Sequence, residues 1–183
     1  MSRVVAFEGP DLTGKTSLLD LLQERMPYAM WPRLSYHPTR SMLDEEGGAT
    51  LDLTSLVFHE GMIAASKQMP FVMDRCYVTN YVYGLAFDRG LDLDRIMSIA
   101  RRLRPVIVYV STPTLVLVER LKWRGDKFVK QAAKLAQISD LYDGWATENP
   151  FSDVIVYCQA QLYQSKEAAV DWIDNSLRRE LKL

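Results

Sequence analysis

The stretch Gly9-Pro10-Asp11-Leu12-Thr13-Gly14-Lys15-Thr16 fits the pattern G-x-x-x-x-G-K-[ST], and it constrains the fold more tightly than any other part of the chain. Arg3-Val4-Val5-Ala6-Phe7 reads as a buried strand leading into it, and Ser17 to Met26 carries apolar residues at helical spacing. A strand, a glycine turn and a helix in that order point successive backbone N–H groups at an anion seated on the helix N-terminus. Gly9 and Gly14 let the backbone wrap a polyphosphate, with Thr13 and Ser17 completing the cradle. Lys15 supplies a mobile positive charge for the β and γ phosphates. Thr16 offers a hydroxyl to a Mg²⁺ bridging the same oxygens. ATP as donor and Mg²⁺ as cofactor are the expectation.

Further apolar runs follow at 71–75, 105–110 and 153–157, alternating with helical patterns near 51–67, 78–87, 92–103, 114–121, 128–147 and 165–181. Residues 28–36 read as a strand placed at a sheet edge by Pro32, which has no ladder donor. Strands separated by helices require right-handed crossovers. The expected fold is therefore α/β, a three-layer α/β/α P-loop NTPase fold with a mostly parallel five-stranded sheet and a helical lid. One domain, 1–183, accounts for the chain, with the lid at about 120–130. Lys and Arg number 22 against 23 Asp and Glu, a formal charge of −1, so no global field draws the protein to nucleic acid or an anionic membrane. No run approaches the roughly 18–20 apolar residues of a membrane span, and the amino terminus carries no secretion pattern. A cytoplasmic protein with reduced Cys76 and Cys158 is expected.

A phosphate loop alone does not separate kinases from motors or switches. Asp74-Arg75 ends an apolar strand, where the carboxylate can hold Mg²⁺ or accept a proton and the guanidinium can fork onto a phosphate. Together with these residues, three ordered segments resemble the thymidylate kinase family of nucleoside monophosphate kinases, whose fold is close to that of the deoxynucleoside kinases. Phe7 to Ser17 resembles the family's F-E-G-x-D-x-x-G-K-[ST]-[ST] loop, Asp74 to Tyr83 its D-R-Y-x-x-S-x-x-A-[YF], and Arg120-Leu121-Lys122-Trp123-Arg124-Gly125 its basic lid. The resemblance implies that Asp11 contacts the sugar 3′-hydroxyl or a lysine-bound network, that Arg75, Thr79 and Arg40 serve the acceptor, and that Tyr83 crowds the 2′ position. It implies Phe58 as the ring on which a pyrimidine stacks, and a homodimer built on helices, with 92–103 as a candidate. Leu12 stands where some members carry Arg, so the transition-state cation falls to Arg120 or Arg124.

Two departures bear on the acceptor. Met62 stands where the family places an Arg four residues after the stacking Phe, leaving His59 or Glu60 as alternative base readers. Only 15 residues, 59 to 73, separate Phe58 from Asp74, so the helix before the strand reads as short. A nucleoside hydroxyl must lose a proton, whereas a monophosphate oxygen is already ionised and needs cations. The exit from the second strand, His37-Pro38-Thr39-Arg40, has no carboxylate, which favours a deoxypyrimidine 5′-monophosphate, dTMP-like. Asp11, Asp74 or Asp44 as base is the alternative, for a nucleoside or for a hydroxyl on a modified nucleotide or nucleic acid; a nucleotide-binding switch is a third.

Overall fold

In a computed structural model of the chain, which describes residues 3–35, 48–124 and 131–183, the sheet is parallel throughout. Its strands are β1 (Val4–Glu8), β2 (Arg33–Ser35), β3 (Phe71–Asp74), β4 (Val106–Ser111) and β5 (Val154–Gln159), in the order β2-β3-β1-β4-β5. The helices are α1 (Lys15–Gln23), α2 (Gly48–Ser66), α3 (Tyr77–Ala86), α4 (Leu93–Leu103), α5 (Thr114–Arg124), α6 (Ala132–Glu148) and α7 (Lys166–Leu181). Among the described residues no helix is long and apolar enough to cross a membrane.

Helices cover both faces, so the central strands are apolar up to their carboxyl ends. Strand alternation still sorts their side chains. Val4 and Ala6 of β1, Phe71 and Met73 of β3, and Ile107 and Tyr109 of β4 join one core with α2 to α6. Val5 and Phe7, Val72, and Val106, Val108 and Val110 join a second core with Leu18, Leu19 and Leu22 of α1 and Val170, Ile173 and Leu177 of α7. Each buried Val, Leu, Ile, Phe or Met among them contributes about 1.5–3 kcal/mol relative to exposure. The same alternation decides where the polar residues at the strand ends go: Glu8 continues the first face and Asp74 the second.

The segment expected as a strand over 28–36 is split. Tyr28–Met30 forms a 3₁₀ turn and only Arg33–Ser35 pairs, in the expected edge position. Tyr28 and Trp31 meet edge to face at 5.2 Å and are buried in the second core, which holds the backbone out of the ladder until Pro32 has passed. The helix read as short is 19 residues long, since it starts upstream at Gly48. α4 turns Ile96, Ile99, Ala100 and Leu103 into its own subunit's core, with Asp92 capping it by accepting from the Arg95 N–H at 3.0 Å.

Before β5, Asp153 is half-buried, with its Oδ2 enclosed. Its Oδ1 accepts from the Tyr77 hydroxyl, while Oδ2 has no hydrogen-bond partner among the described residues. Burial pushes the carboxyl up from 3.8 to about 6. A folded pKa above the unfolded one means that the native state binds the proton more tightly, so this group's stabilising contribution is present at acid pH and is lost as pH rises through about 6. The wild type minus Asp153→Asn difference in urea unfolding free energy should fall by on the order of 2–3 kcal/mol between pH 4 and pH 7.5. A difference flat in pH removes Asp153 from the account.

Candidate active site

The carboxyl ends of β1, β3 and β4 converge where the glycine loop leaves the sheet. Gly9 has φ +137° and passes so close to β4 that a Cβ there would lie 2.4 Å from the Val110 carbonyl oxygen. Only glycine fits this crossing. Gly14, at φ +93°, sits at the N-cap position of α1. Lys15 opens that helix, buried at 6% exposure, and its Nζ donates to the Pro10 carbonyl inside the loop, as does the Thr13 hydroxyl at 3.1 Å. Ser17 lies half-buried one residue beyond the exposed Thr16.

Arg75 is the centre of the site. Its backbone stands at φ +74°, unusual for a side-chain-bearing residue, and its N–H still extends the ladder to the Phe7 carbonyl at 3.0 Å. The turn aims the guanidinium back across the loop. Nη2 pairs with Asp11, and Nη1 is shared among the Gly9 carbonyl at 3.3 Å, Thr79 Oγ1 at 3.2 Å and the Tyr142 hydroxyl at 3.1 Å. The Tyr83 hydroxyl donates to the other oxygen of Asp11, and the Arg75 guanidinium lies 5.5 Å from the Tyr83 ring centroid. Burial would raise Asp11, but Arg75, Lys15 and the Tyr83 bond outweigh it and hold the carboxyl below its ordinary 3.8.

Two members of this network were not singled out from the sequence. Glu8, fully buried, accepts from the Cys76 N–H at 2.5 Å, the Thr79 hydroxyl at 2.9 Å and the Tyr142 hydroxyl at 3.0 Å. An acid ending an otherwise apolar strand was the legible sign. Tyr142, on α6 and 67 positions from Arg75, had none.

Asp74 points to the opposite face of the sheet. Its Oδ2 accepts from Thr16 Oγ1 at 3.2 Å and from Arg33 Nη2 at 2.6 Å, and the other nitrogen of Arg33 donates to Asp20 of α1 at 2.5 Å. The hydroxyl and carboxylate expected to hold Mg²⁺ are thus adjacent. Among the described residues no group of three or more His, Cys, Asp or Glu could hold a metal alone. A hydroxyl and one carboxylate fit Mg²⁺ of the kind that takes most remaining ligands from phosphate and water.

From the lid, Arg120 Nη1 donates to the Leu12 carbonyl at 2.7 Å, so this cation sits on the loop; Arg124 ends α5 with its side chain outside the described residues, and Arg40 lies wholly outside them. Ser55 of α2 donates to Asn80 of α3 at 3.1 Å, tying the helix of Phe58 to that of Thr79 and Tyr83. Phe58 is half-buried and meets the His59 ring edge to face at 5.5 Å. Of the alternative base readers, Glu60 takes two bonds from Arg95 of α4, at 2.7 and 2.8 Å. His59 is buried, with Nδ1 unpartnered among the described residues, and burial pulls its imidazole down to about 4, keeping it neutral.

No protein-family model and no curated protein matches the chain. Solved structures do. The YorR protein of Bacillus subtilis in complex with phosphorylated GDP superposes with a TM-score of 0.67 at 19% identity, covering 97% of each chain. Deoxyadenosine kinase from M. mycoides with bound dATP gives 0.70 at 12% identity, covering 96% of this chain and 99% of that one. The same enzyme with bound dCTP gives 0.64 at 16% identity, with the same coverage. The fold is that of the P-loop nucleotide kinases.

Lys15 offers a direct test of the loop. Burial first, and the Arg75 charge next, pull its ammonium from 10.5 to about 7, so at pH 8 it is largely neutral. A polyphosphate in the loop favours the charged form. Calorimetric titration with ATP at pH 8, in buffers of different ionisation heat, should show close to one proton taken up. Lys15→Arg, which keeps its charge at every relevant pH, should bind without that uptake, and equal uptake by both proteins excludes the assignment.

Proposed function

We propose that the chain is an ATP-dependent nucleotide kinase, thymidylate kinase-like, that phosphorylates a deoxypyrimidine 5′-monophosphate. The observation that carries the reading is the Arg75 guanidinium, turned by its positive-φ backbone over the glycine loop and bonded to Gly9 and Asp11 of that loop. A cation so placed can hold an acceptor phosphate beside the donor's polyphosphate. Transfer between two polyanions needs such charges fixed in advance.

In this reading the loop amides and Lys15 hold the donor's β and γ phosphates, and Arg120 reaches the transferred group from above Leu12. Thr16 and Asp74 would hold Mg²⁺, which supplies charge neutralisation at the β and γ oxygens. Asp11, ionised and fixed by Arg75 and Tyr83, takes a sugar hydroxyl as hydrogen-bond donor, while the Tyr83 ring restricts the 2′ side. Phe58 stacks the base. The acceptor phosphate meets an Arg75 already paired with Asp11, so it must share or displace that carboxylate.

That pairing also favours a second reading. An Arg75 already neutralised by Asp11 offers an incoming phosphate little net charge, and Asp11 is an ionised carboxylate beside the loop, weakened as a base by that same pairing, where the second-strand exit carries none in the sequence. The acceptor would then be a deoxynucleoside. The fold shared with a deoxyadenosine kinase is compatible with it.

A coupled assay across nucleosides and monophosphates separates the two: turnover of deoxypyrimidine monophosphates is expected, and turnover confined to nucleosides establishes the second reading. ATP hydrolysis indifferent to every acceptor overturns both. Lys15→Ala and Arg75→Ala should each lower kcat/KM about 10³-fold, a loss of some 4 kcal/mol in transition-state stabilisation, with the circular dichroism spectrum retained.

A further inference from the structure

Arg33 occupies a place that the donor-loop reading does not explain. It lies on the edge strand β2 in register with Val72 of β3, so it faces α1 along with Asp74 two residues further on. One end of its guanidinium takes Asp74 Oδ2 at 2.6 Å, the same oxygen that accepts from the Thr16 hydroxyl. The other end takes Asp20 at 2.5 Å. Asp74 is 17% exposed at its side chain and Asp20 58%, so the guanidinium bridges an enclosed carboxylate and an open one.

A divalent cation ligated by Thr16 and Asp74 would need that shared oxygen region. Two cations on one carboxylate repel strongly at the spacing of direct contact. Asp20 offers Arg33 a second anchor already in contact, from which it can remain paired after leaving Asp74.

We propose that Arg33 sets the divalent-metal affinity of the site by competing for the Asp74 carboxylate, with Asp20 as the anchor onto which its guanidinium withdraws. The polyphosphate contributes the negative charge that tips the competition, so metal binds weakly to the protein alone and well together with nucleotide. This rests on the metal role given above to Thr16 and Asp74.

The test is Mn²⁺ binding to the full chain, followed by electron paramagnetic resonance with no nucleotide added. Arg33→Gln should tighten Mn²⁺ binding about tenfold or more, because a competing unit charge in direct contact is gone. Asp20→Asn should loosen it, because Arg33 then has Asp74 alone. Arg33→Lys, whose single ammonium cannot bridge both carboxylates, should fall between wild type and Arg33→Gln, and it stands in if Arg33→Gln melts early. Unchanged or weaker binding in the Arg33 variants, or an Asp20→Asn protein indistinguishable from wild type, overturns the competition. Asp74→Asn separates the two claims: it should abolish binding, and if Mn²⁺ binds it as it binds wild type, the metal role itself fails.

Discussion

The site depends on keeping one half-buried guanidinium charged and still. Arg75 is held by an ion pair to Asp11 on one nitrogen and by three neutral oxygens on the other. Burial would disfavour its charge, yet Asp11, Tyr83, Tyr142 and Glu8 together raise it well above the ordinary arginine value. Glu8 does this by its charge without touching Arg75, and it also holds the Thr79 and Tyr142 hydroxyls that the guanidinium contacts. Removing any member leaves an uncompensated partner, the expensive outcome for buried polar networks.

Strand alternation divides the labour. Because β1 and β3 are parallel and in register at Phe7 and Asp74, Glu8 and Asp74 fall on opposite faces of the sheet. The first carboxylate therefore meets α3 and α6, on what the proposed function makes the acceptor side. The second meets Thr16 of α1, on what it makes the side of the donor's phosphates. Arg75 follows Asp74 directly, and its left-handed backbone is what returns the chain from one face to the other.

Most of this architecture was legible because it is local. The glycine loop, the apolar strands, the helix after each and the edge position of β2 all follow from spacing within a few residues. The split of 28–36 was not, since Tyr28 and Trp31 look like strand residues and their burial against α1 and α7 appears only in the folded chain. The same holds in the site. Lys15, Thr16, Asp74 and Arg75 were readable from motif and strand end, and Arg120 from its basic run. Tyr142 and Arg33 were not, because each acts through a contact 41 or more positions away in sequence. Nor does the sequence show that Glu60 pairs with Arg95, since that contact joins two helices.

The contact between Arg120 and residue 12 is made to a main-chain oxygen, while Leu12 itself stands at φ +67°. An interaction made to the backbone does not depend on which side chain residue 12 carries, so a change there leaves the hydrogen bond that latches α5 in place. Under the proposed function, arginine in the loop and arginine on α5 would be alternative sources of the same charge. A lineage could move its cation from one to the other through an intermediate carrying both, never passing through a site with neither.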